Sequence, residues 1–514
     1  MEPLGRLVFG LGLLLGLVML VLQPAFSVPD EWPHFLRAYH LSEGKIYAHR
    51  ENGPTSNVGD LFPVSMWQTM VMLHSNVPRD NLMQPDLKKT AAALDMPLDP
   101  GERHFQPFPN TALYSPVPYL PAALAIALSR AAGASPLAMF YCGRAANLIV
   151  FLLLAGWAVK TTPILRTSFA ILALLPMSLF LSASLSADAM TLGFALCAIA
   201  ATFRAAFQTS SGQNSAGGRQ RAEASIQNTE TNYCLPPTDN SLLGSRQLAL
   251  LVVLFSLLAL CKQAYFPLTL LFFIIPVRAC GSWRRYLGAA ALVIGVPLVL
   301  NLGWAATVKP IYFPLMPGVD PAAHLRFTLS RPWGYTLDML HVMRDDYLWL
   351  NMVGILGWQG VILPKMVRIA LWVSLGLSAV VGGVRKRGVG DRRLPSSPLL
   401  PFRSRMIVLA VYLVGVVAVI TLVNLSWQAA GVKGVVGLQS RYFLPLVPLL
   451  LLLVGGRQTA VGRVLNLLAA YFRLPIGWAK SPTDYRLLRI VFIVGVSLLG
   501  SIASWAALFQ HYYT

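Results

Sequence analysis

Charge is what this chain has little of. Only 12% of its 514 residues are Asp, Glu, Lys or Arg, about half of the roughly 25% usual in a soluble globule. Hydrophobic residues make up 55%. Together these exclude a soluble fold and imply a polytopic membrane protein. Acids are scarcer still, 21 against 41 Lys and Arg, for a net charge of +20. Such a balance can signal nucleic acid. Here the basic residues flank apolar runs, as the positive-inside rule requires, so no nucleic-acid partner is expected. The five cysteines form no CxxC pair and sit mostly in or beside apolar runs, which argues against a disulfide scaffold. No HExxH or Cys/His cluster suggests zinc, and no P-loop or GxGxxG suggests a nucleotide fold. No internal repeat points to a two-half transporter.

What is present begins with an apolar run, Leu7–Leu22. A weak cleavage-like site follows at Ala25-Phe-Ser27, but only Arg6 supplies positive charge ahead of the run, so it reads as an uncleaved anchor. A long polar segment comes next, then Leu113–Ala132, apolar but with Pro116, Pro118 and Pro121 at its start. Further spans are read over Pro136–Val159, Ser168–Ser182, Ala189–Phe207, Leu248–Leu260, Phe266–Val277, Leu287–Val308, Ile369–Val384, Ile407–Val423, Phe443–Val454 and Ile490–Phe509. Whether Leu113–Ala132 crosses decides the side of every later loop. If it does not cross, the most basic connectors all fall inside. Only Glu2, Glu223, Glu230, Asp239, Asp391 and Asp484 among the acids then lie inside. Lys/Arg bias sets orientation, so Leu113–Ala132 is read as a broken helix that lies on or dips into the outer face. Its proline cluster suits that role.

The expected fold class is therefore an all-α integral membrane protein of about eleven transmembrane helices. Its N-terminus is cytoplasmic. The expected divisions are a first span over 1–23, a first periplasmic loop with juxtamembrane helices over 24–135, and a bundle over 136–514. A polar cytoplasmic loop covers 208–245 and a periplasmic loop 309–365.

Four stretches converge on the outer face. The first is Val28–Gly44, VPDEWPHFLRAYHLSEG. Trp32, Phe35, Leu36 and Tyr39 recur at i, i+3, i+4, i+7 and predict an amphipathic helix on the bilayer surface. Asp30 and Glu31 open it, and Asp30 has two readings there: an N-cap or a reactive acid. The second is Ser182-Ala-Ser-Leu-Ser186-Ala-Asp188, where Asp188 either caps the next helix or joins a site. The third is a set of cations at helix edges, Arg144, Lys262 and Arg441, which either snorkel to headgroups or bind phosphate. The fourth, Tyr347–Pro364, is an aromatic stretch read as an amphipathic or re-entrant helix, or as part of an interfacial belt.

Carboxylates beside cations at a lipid–water boundary suit one chemistry. An ionised Asp can take the proton of an attacking hydroxyl, and Arg or Lys can stabilise a departing phosphate. A substrate joining phosphate to a long apolar tail is a sugar on polyprenyl phosphate.

At these residues the chain resembles a family of bacterial polytopic membrane proteins, domain of unknown function twenty-one forty-two. The match runs through Pro29-Asp-Glu31, His34-Phe35, Arg37-Ala-Tyr39 and Ser42-Glu-Gly44. It continues through Tyr114-Ser-Pro116 to Tyr119-Leu-Pro121, Ser184-Leu-Ser-Ala-Asp188, and Lys262–Pro267. Gly354-Ile-Leu-Gly-Trp358 to Pro364 and Gly437-Leu-Gln-Ser-Arg441-Tyr-Phe-Leu-Pro445 complete it. Such proteins are similar to GT-C glycosyltransferases. That resemblance implies transfer of a sugar from a polyprenyl-phosphate donor, at the periplasmic face, to an envelope glycan, lipid or protein. It places Asp30 in the position of the catalytic acid, with Glu31 beside it and Asp188 as the second outer-loop acid. His34, Arg37, Arg144, Lys262, Trp358, Arg441 and Tyr442 are the expected substrate-binding residues. If a cation such as Mg²⁺ or Mn²⁺ takes part, Asp30, Glu31 and Asp188 are the ligand candidates. Ser440 departs from the pattern, since Gly is expected before the Arg-Tyr-Phe. The rival readings are a polyprenyl-linked glycan transporter or flippase, and a non-catalytic membrane component of a polysaccharide assembly complex. A transporter needs charges along a path inside the bilayer, and the expected spans hold almost none away from their ends.

Overall fold

A computed structural model describes residues 3–51, 57–74, 85–207, 243–314, 316–357, 360–381, 401–432, 435, 437–454 and 482–513. Among the described residues the molecule is built mainly of helices. Six are long and apolar enough to cross a membrane: Pro3–Leu22, Pro136–Thr161, Asp188–Phe207, Trp283–Ile311, Phe402–Trp427 and Leu487–Tyr513. We label α1 Pro3–Leu22, α2 Glu31–Ser42, α3 Val64–His74, α4 Leu87–Asp95, α5 Pro109–Ala112, α6 Leu120–Ala131 and α7 Pro136–Thr161. Then follow α8 Arg166–Ala173, α9 Pro176–Ser182, α10 Asp188–Phe207, α11 Ser245–Cys261 and α12 Trp283–Val308. The last are α13 Pro321–Ser330, α14 Pro332–Met343, α15 Asp346–Asn351, α16 Lys365–Val381, α17 Phe402–Trp427, α18 Val447–Val454 and α19 Pro482–Tyr513.

Six is fewer than the eleven spans expected: two of the others fall in 17-residue helices, α11 and α16, and local geometry interrupts the remaining three. The expected span Ser168–Ser182 is broken into α8 and α9, because Pro176 at the start of α9 cannot continue a helix. Gln263–Ile274 and Ser440–Leu446 are 3₁₀ helices with Pro267 and Pro445 inside them. A 3₁₀ helix rises about 2.0 Å per residue against 1.5 Å for an α-helix. Gln263–Ile274, with 12 residues, is therefore roughly 24 Å long. Leu113–Ala132 is not one long helix. It is the 3₁₀ turn Val117–Tyr119 followed by the 12-residue α6, as its prolines imply.

The bundle core gathers around α1, α7, α9 and α10. α1 and α7 approach closely because Gly12 and Gly16 leave room for Leu152 and Leu148, a small-xxx-small contact. A second core lies at the end of the bundle where α1 finishes and α10 begins, built on Phe26, Phe35, Tyr39, Phe62, Phe108 and Phe140.

Strands there were not expected. β1 (His49–Arg50), β2 (Val58–Pro63) and β3 (Arg103–Pro107) form an antiparallel sheet in the order β1-β2-β3, with Gly59 opposite both His49 and Pro107. A two-stranded pair, β4 (Ile355–Leu356) and β5 (Val361–Ile362), lies within the Tyr347–Pro364 stretch. The first sheet is tied to α2 and the turn after it by polar and ionic contacts. His40 Nε2 and Lys45 Nζ both lie 3.0 Å from Asp60 Oδ2, and Arg103 grips Glu43 with two bonds of 2.9 and 2.7 Å. The segment 208–242, most of the expected cytoplasmic loop, lies outside the described residues.

Candidate functional site

The expected surface helix is in fact buried. α2 sits between α5, α6 and the sheet, and Glu31 and His34 through His40 are all buried. Its apolar stripe feeds the second core, and its polar side is used for internal bonds instead of water. That corrects the expectation of a bilayer-surface helix.

Glu31 and Arg144 also take a different role from the one expected. Arg144 Nε and Nη2 reach the two Glu31 carboxylate oxygens at 2.8 and 2.6 Å. The remaining guanidinium donors go to the carbonyls of Leu20, Gln23 and Pro24. Glu31 Oε1 also accepts the Leu185 N–H at 3.0 Å. Neither side chain is exposed to solvent, and the guanidinium fork is filled, so Arg144 has no donor left for a phosphate. The pair instead joins the exit of α1, the wall of α7 and the turn before α10. Arg37 is likewise used internally. Nη1 donates to the Ile46 carbonyl at 2.9 Å, and Nη2 to the Tyr114 carbonyl at 3.0 Å.

Asp30 stands at the N-cap position of α2 with φ 60° and ψ 18°, and its side chain makes no cap hydrogen bond. Left-handed backbone in a non-glycine residue stores strain of about 1–3 kcal/mol and clusters at functional sites. Asp30 Oδ1 accepts instead from Asn110 Nδ2 at 3.1 Å. Burial pushes its carboxyl above the usual carboxylate range, against the downward pull of Arg441 and Lys262 and with a further push from Asp188. Those three charged groups lie near enough to Asp30 to act on its charge.

Asp188 is the first residue of α10, and its carboxylate does not cap that helix. The local hydroxyl does the turn's work, since Asp188 N–H donates to Ser186 Oγ at 2.9 Å. The carboxylate is held by Lys262 Nζ through Oδ1 and by Arg441 Nε at 3.3 Å through Oδ2. Both cations lie against the Tyr442 ring, Lys262 Nζ at 4.8 Å and Arg441 Cζ at 5.6 Å from its centroid. Each cation sits at the start of a proline-containing 3₁₀ helix. Lys262 directly precedes Gln263–Ile274, and Arg441 is the second residue of Ser440–Leu446. Tyr265 Oη donates to the Tyr442 carbonyl at 2.7 Å and so locks the two helices together. His34 closes one side. Its Nδ1 lies 2.7 Å from Tyr119 Oη, with the Tyr114 ring 6.1 Å away. Burial drops the His34 ring to about 3, with Asp188 pulling it up and Lys262 and Arg441 pressing it down. It is neutral at pH 7.

The structure therefore brings together Asp30, Asp188, Lys262, Arg441, Tyr442 and His34. It sets Glu31, Arg144 and Arg37 behind them as framework. Trp358 lies outside the described residues. Among the described residues no three His, Cys, Asp or Glu side chains are placed to hold a metal ion. Glu31 is turned onto Arg144, so the three acids expected as Mg²⁺ or Mn²⁺ ligands do not converge. Sequence reasoning missed Asn110, for which no motif stood out, and the work of Tyr114, Tyr119 and Tyr265. The last three lay in quoted motifs, each a tyrosine within two residues of a proline.

No curated protein and no solved structure matches the chain. The family model described as predicted membrane protein (DUF2142) matches residues 13–219 and 239–450, well over half of the sequence, and the chain belongs to that family.

Proposed function

We propose that this protein is a membrane glycosyltransferase of GT-C type that uses a polyprenyl-phosphate sugar. The observation that carries the reading is the shared neighbourhood of Asp30 and the Asp188–Lys262–Arg441 cluster. A carboxyl raised by burial is a stronger base than a solvated one. Lys262 and Arg441 each engage Asp188 through one nitrogen, which leaves further N–H donors on both for a phosphate. In the reaction, the acceptor hydroxyl oxygen bonds to the sugar's anomeric carbon as the bond from that carbon to the phosphate oxygen breaks. The hydroxyl proton passes to Asp30 Oδ, and Lys262 and Arg441 meet the charge gathering on the departing phosphate. Asp188 keeps both cations in place. Neutral His34 and the tyrosines beside it line the acceptor side.

The topology we read with it has eleven crossings. α1, α7, α8 with α9, α10, α11, Gln263–Ile274, α12, α16, α17, Ser440–Val454 and α19 alternate in direction. The starts of α7 and α10 and the ends of α1, α11 and α17 then share the site's face. The positive-inside rule turns that face outward, with the N-terminus in the cytoplasm of a bacterial inner membrane. The acceptor is an envelope glycan, lipid or protein.

The test is turnover by purified protein in liposomes of a polyprenyl-phosphate sugar, followed by mass spectrometry of the product. Turnover of a nucleotide sugar with no lipid carrier present would overturn the reading.

A further inference from the structure

The segment between α12 and α16 is expected to be a periplasmic loop, and its helices α13 and α14 carry the wrong polarity for one. The buried side of α13 is polar, while α14 buries Met339 and packs Tyr335, Val342 and Met343 on the bundle core. His324 is 3% and Thr328 8% exposed. His324 Nδ1 donates to the Gln428 carbonyl at 2.9 Å, and Tyr335 Oη donates to Thr421 Oγ1 at 2.7 Å. Their open side carries Leu325, Leu329, Trp333, Leu337 and Leu340, with Leu329 70% and Trp333 82% exposed. Leu325 and Leu329 are four apart on α13, and Trp333, Leu337 and Leu340 recur at steps of four and three on α14, so each helix carries its own apolar stripe. An aqueous loop would not leave so much apolar side-chain surface open to water.

The bonds to α17 set the depth. Gln428 directly follows α17, and Thr421 lies six residues before its last residue, Trp427, or about 9 Å along the axis. α17 is one of the six membrane-crossing helices. The Tyr335 hydroxyl therefore meets it below the end of a span, at a level where a side chain facing away from the protein meets hydrocarbon. Half of the hydrocarbon core is roughly 15 Å. Both ends of the segment also join apolar helices, α12 ahead of it and α16 after it. Arg326, Arg331 and Arg344 are exposed alongside the stripes, on stems long enough to carry their charge to headgroups.

We propose that α13 and α14 are embedded in the site-side leaflet of the bilayer, and that their apolar stripes form a lipid-binding face. An interfacial helix buries its apolar side about 5–10 Å deep, which agrees with the depth read from Thr421. The inference does not depend on the proposed activity, but it bears on the site. Beyond α14, Trp349 packs on Phe443 with ring centroids 5.2 Å apart, two residues from Arg441. The segment thus runs on to the flank of the charged cluster.

The experiment uses the full chain in lipid nanodiscs, with its native cysteines replaced and a nitroxide placed at Leu329→Cys or Leu337→Cys. Val299→Cys on α12 is the lipid control and Leu61→Cys on β2 the water control. Both positions are exposed. We expect oxygen-to-nickel accessibility ratios at 329 and 337 that match Val299→Cys and stand severalfold above Leu61→Cys. Ratios matching Leu61→Cys would overturn the proposal. So would an immobilised spectrum with dipolar broadening, which would put a second copy on the stripes. If the cysteine-free background fails to fold, wild type is compared with Trp333→Phe in brominated lipid. Loss of a quenchable fraction supports the proposal, and unchanged quenching contradicts it.

Discussion

At the scale of single residues, Asp30 separates two jobs that the sequence left together. A cap would bond the backbone of its own helix, and this side chain bonds Asn110 instead. Asp30→Asn should keep the left-handed backbone, which Asn tolerates. It also removes a carboxylate whose burial is unfavourable, so its melting temperature should match or exceed wild type. Transfer should fall about 10²–10⁴-fold. Asp30→Ala should lose the same activity and roughly 1–2 kcal/mol of stability from the left-handed backbone. Parallel rate and melting measurements decide it, and a fully active Asp30→Asn removes Asp30 as the base. Arg144 makes the opposite forecast. Arg144→Ala strands the buried Glu31 and should cost about 3–5 kcal/mol, seen as a large drop in melting temperature. Arg144→Lys keeps charge but loses the fork and should fall between.

Acid should weaken the same region. Burial lowers His34 to about 3 from its usual 6.5, so the unfolded chain takes up that proton first. Stability then falls as pH drops from about 6.5 toward 3. Burial raises Glu43 and Asp60, but Arg103 and Lys45 at Glu43, and His40, the Leu61 N–H and Lys45 at Asp60, bring both below the ordinary carboxylate range. They add losses as pH falls through the carboxylate range. His34→Gln should flatten the melting-temperature profile between about pH 6.5 and 4.5 and leave the steeper fall below it.

At the scale of elements, the α1–α7 contact positions the framework pair. A Cβ at Gly12 would come within 2.4 Å of Leu152 Cδ2, and one at Gly16 within 2.6 Å of Leu148 Cδ1. Both obstacles are ends of flexible side chains, so Ala at either site should be tolerated with a modest loss. Gly16→Leu overpacks the contact, at a cost of about 1–3 kcal/mol. Because Arg144 holds the carbonyls at the end of α1, the same change should speed hydrogen exchange in residues 20–30. Unchanged exchange there would mean that the two features are independent.

At the scale of the whole molecule, the sidedness proposed from the charge distribution can be measured directly. A reporter fused after Gly44 should read periplasmic and one fused after Phe207 cytoplasmic. If both report the same side, that orientation fails.

The sequence alone determined the membrane class, the apolar segments and the motifs that hold the charged cluster, because hydropathy and charge act locally and can be read residue by residue. Leu113–Ala132 is the clearest case, since its three prolines forbid a long helix wherever it lies. Tertiary structure decided which charges pair. Glu31 and Arg144 are 113 positions apart. Nothing in their local sequence says that they spend themselves on each other while Asp30 and Asp188 stay with Lys262 and Arg441. Burial of α2 on both faces, the small sheet, and the exposed apolar stripes of α13 and α14 likewise depend on what packs alongside. Periodicity reports only that a helix has two faces. The neighbours decide which face meets protein and which meets water or lipid.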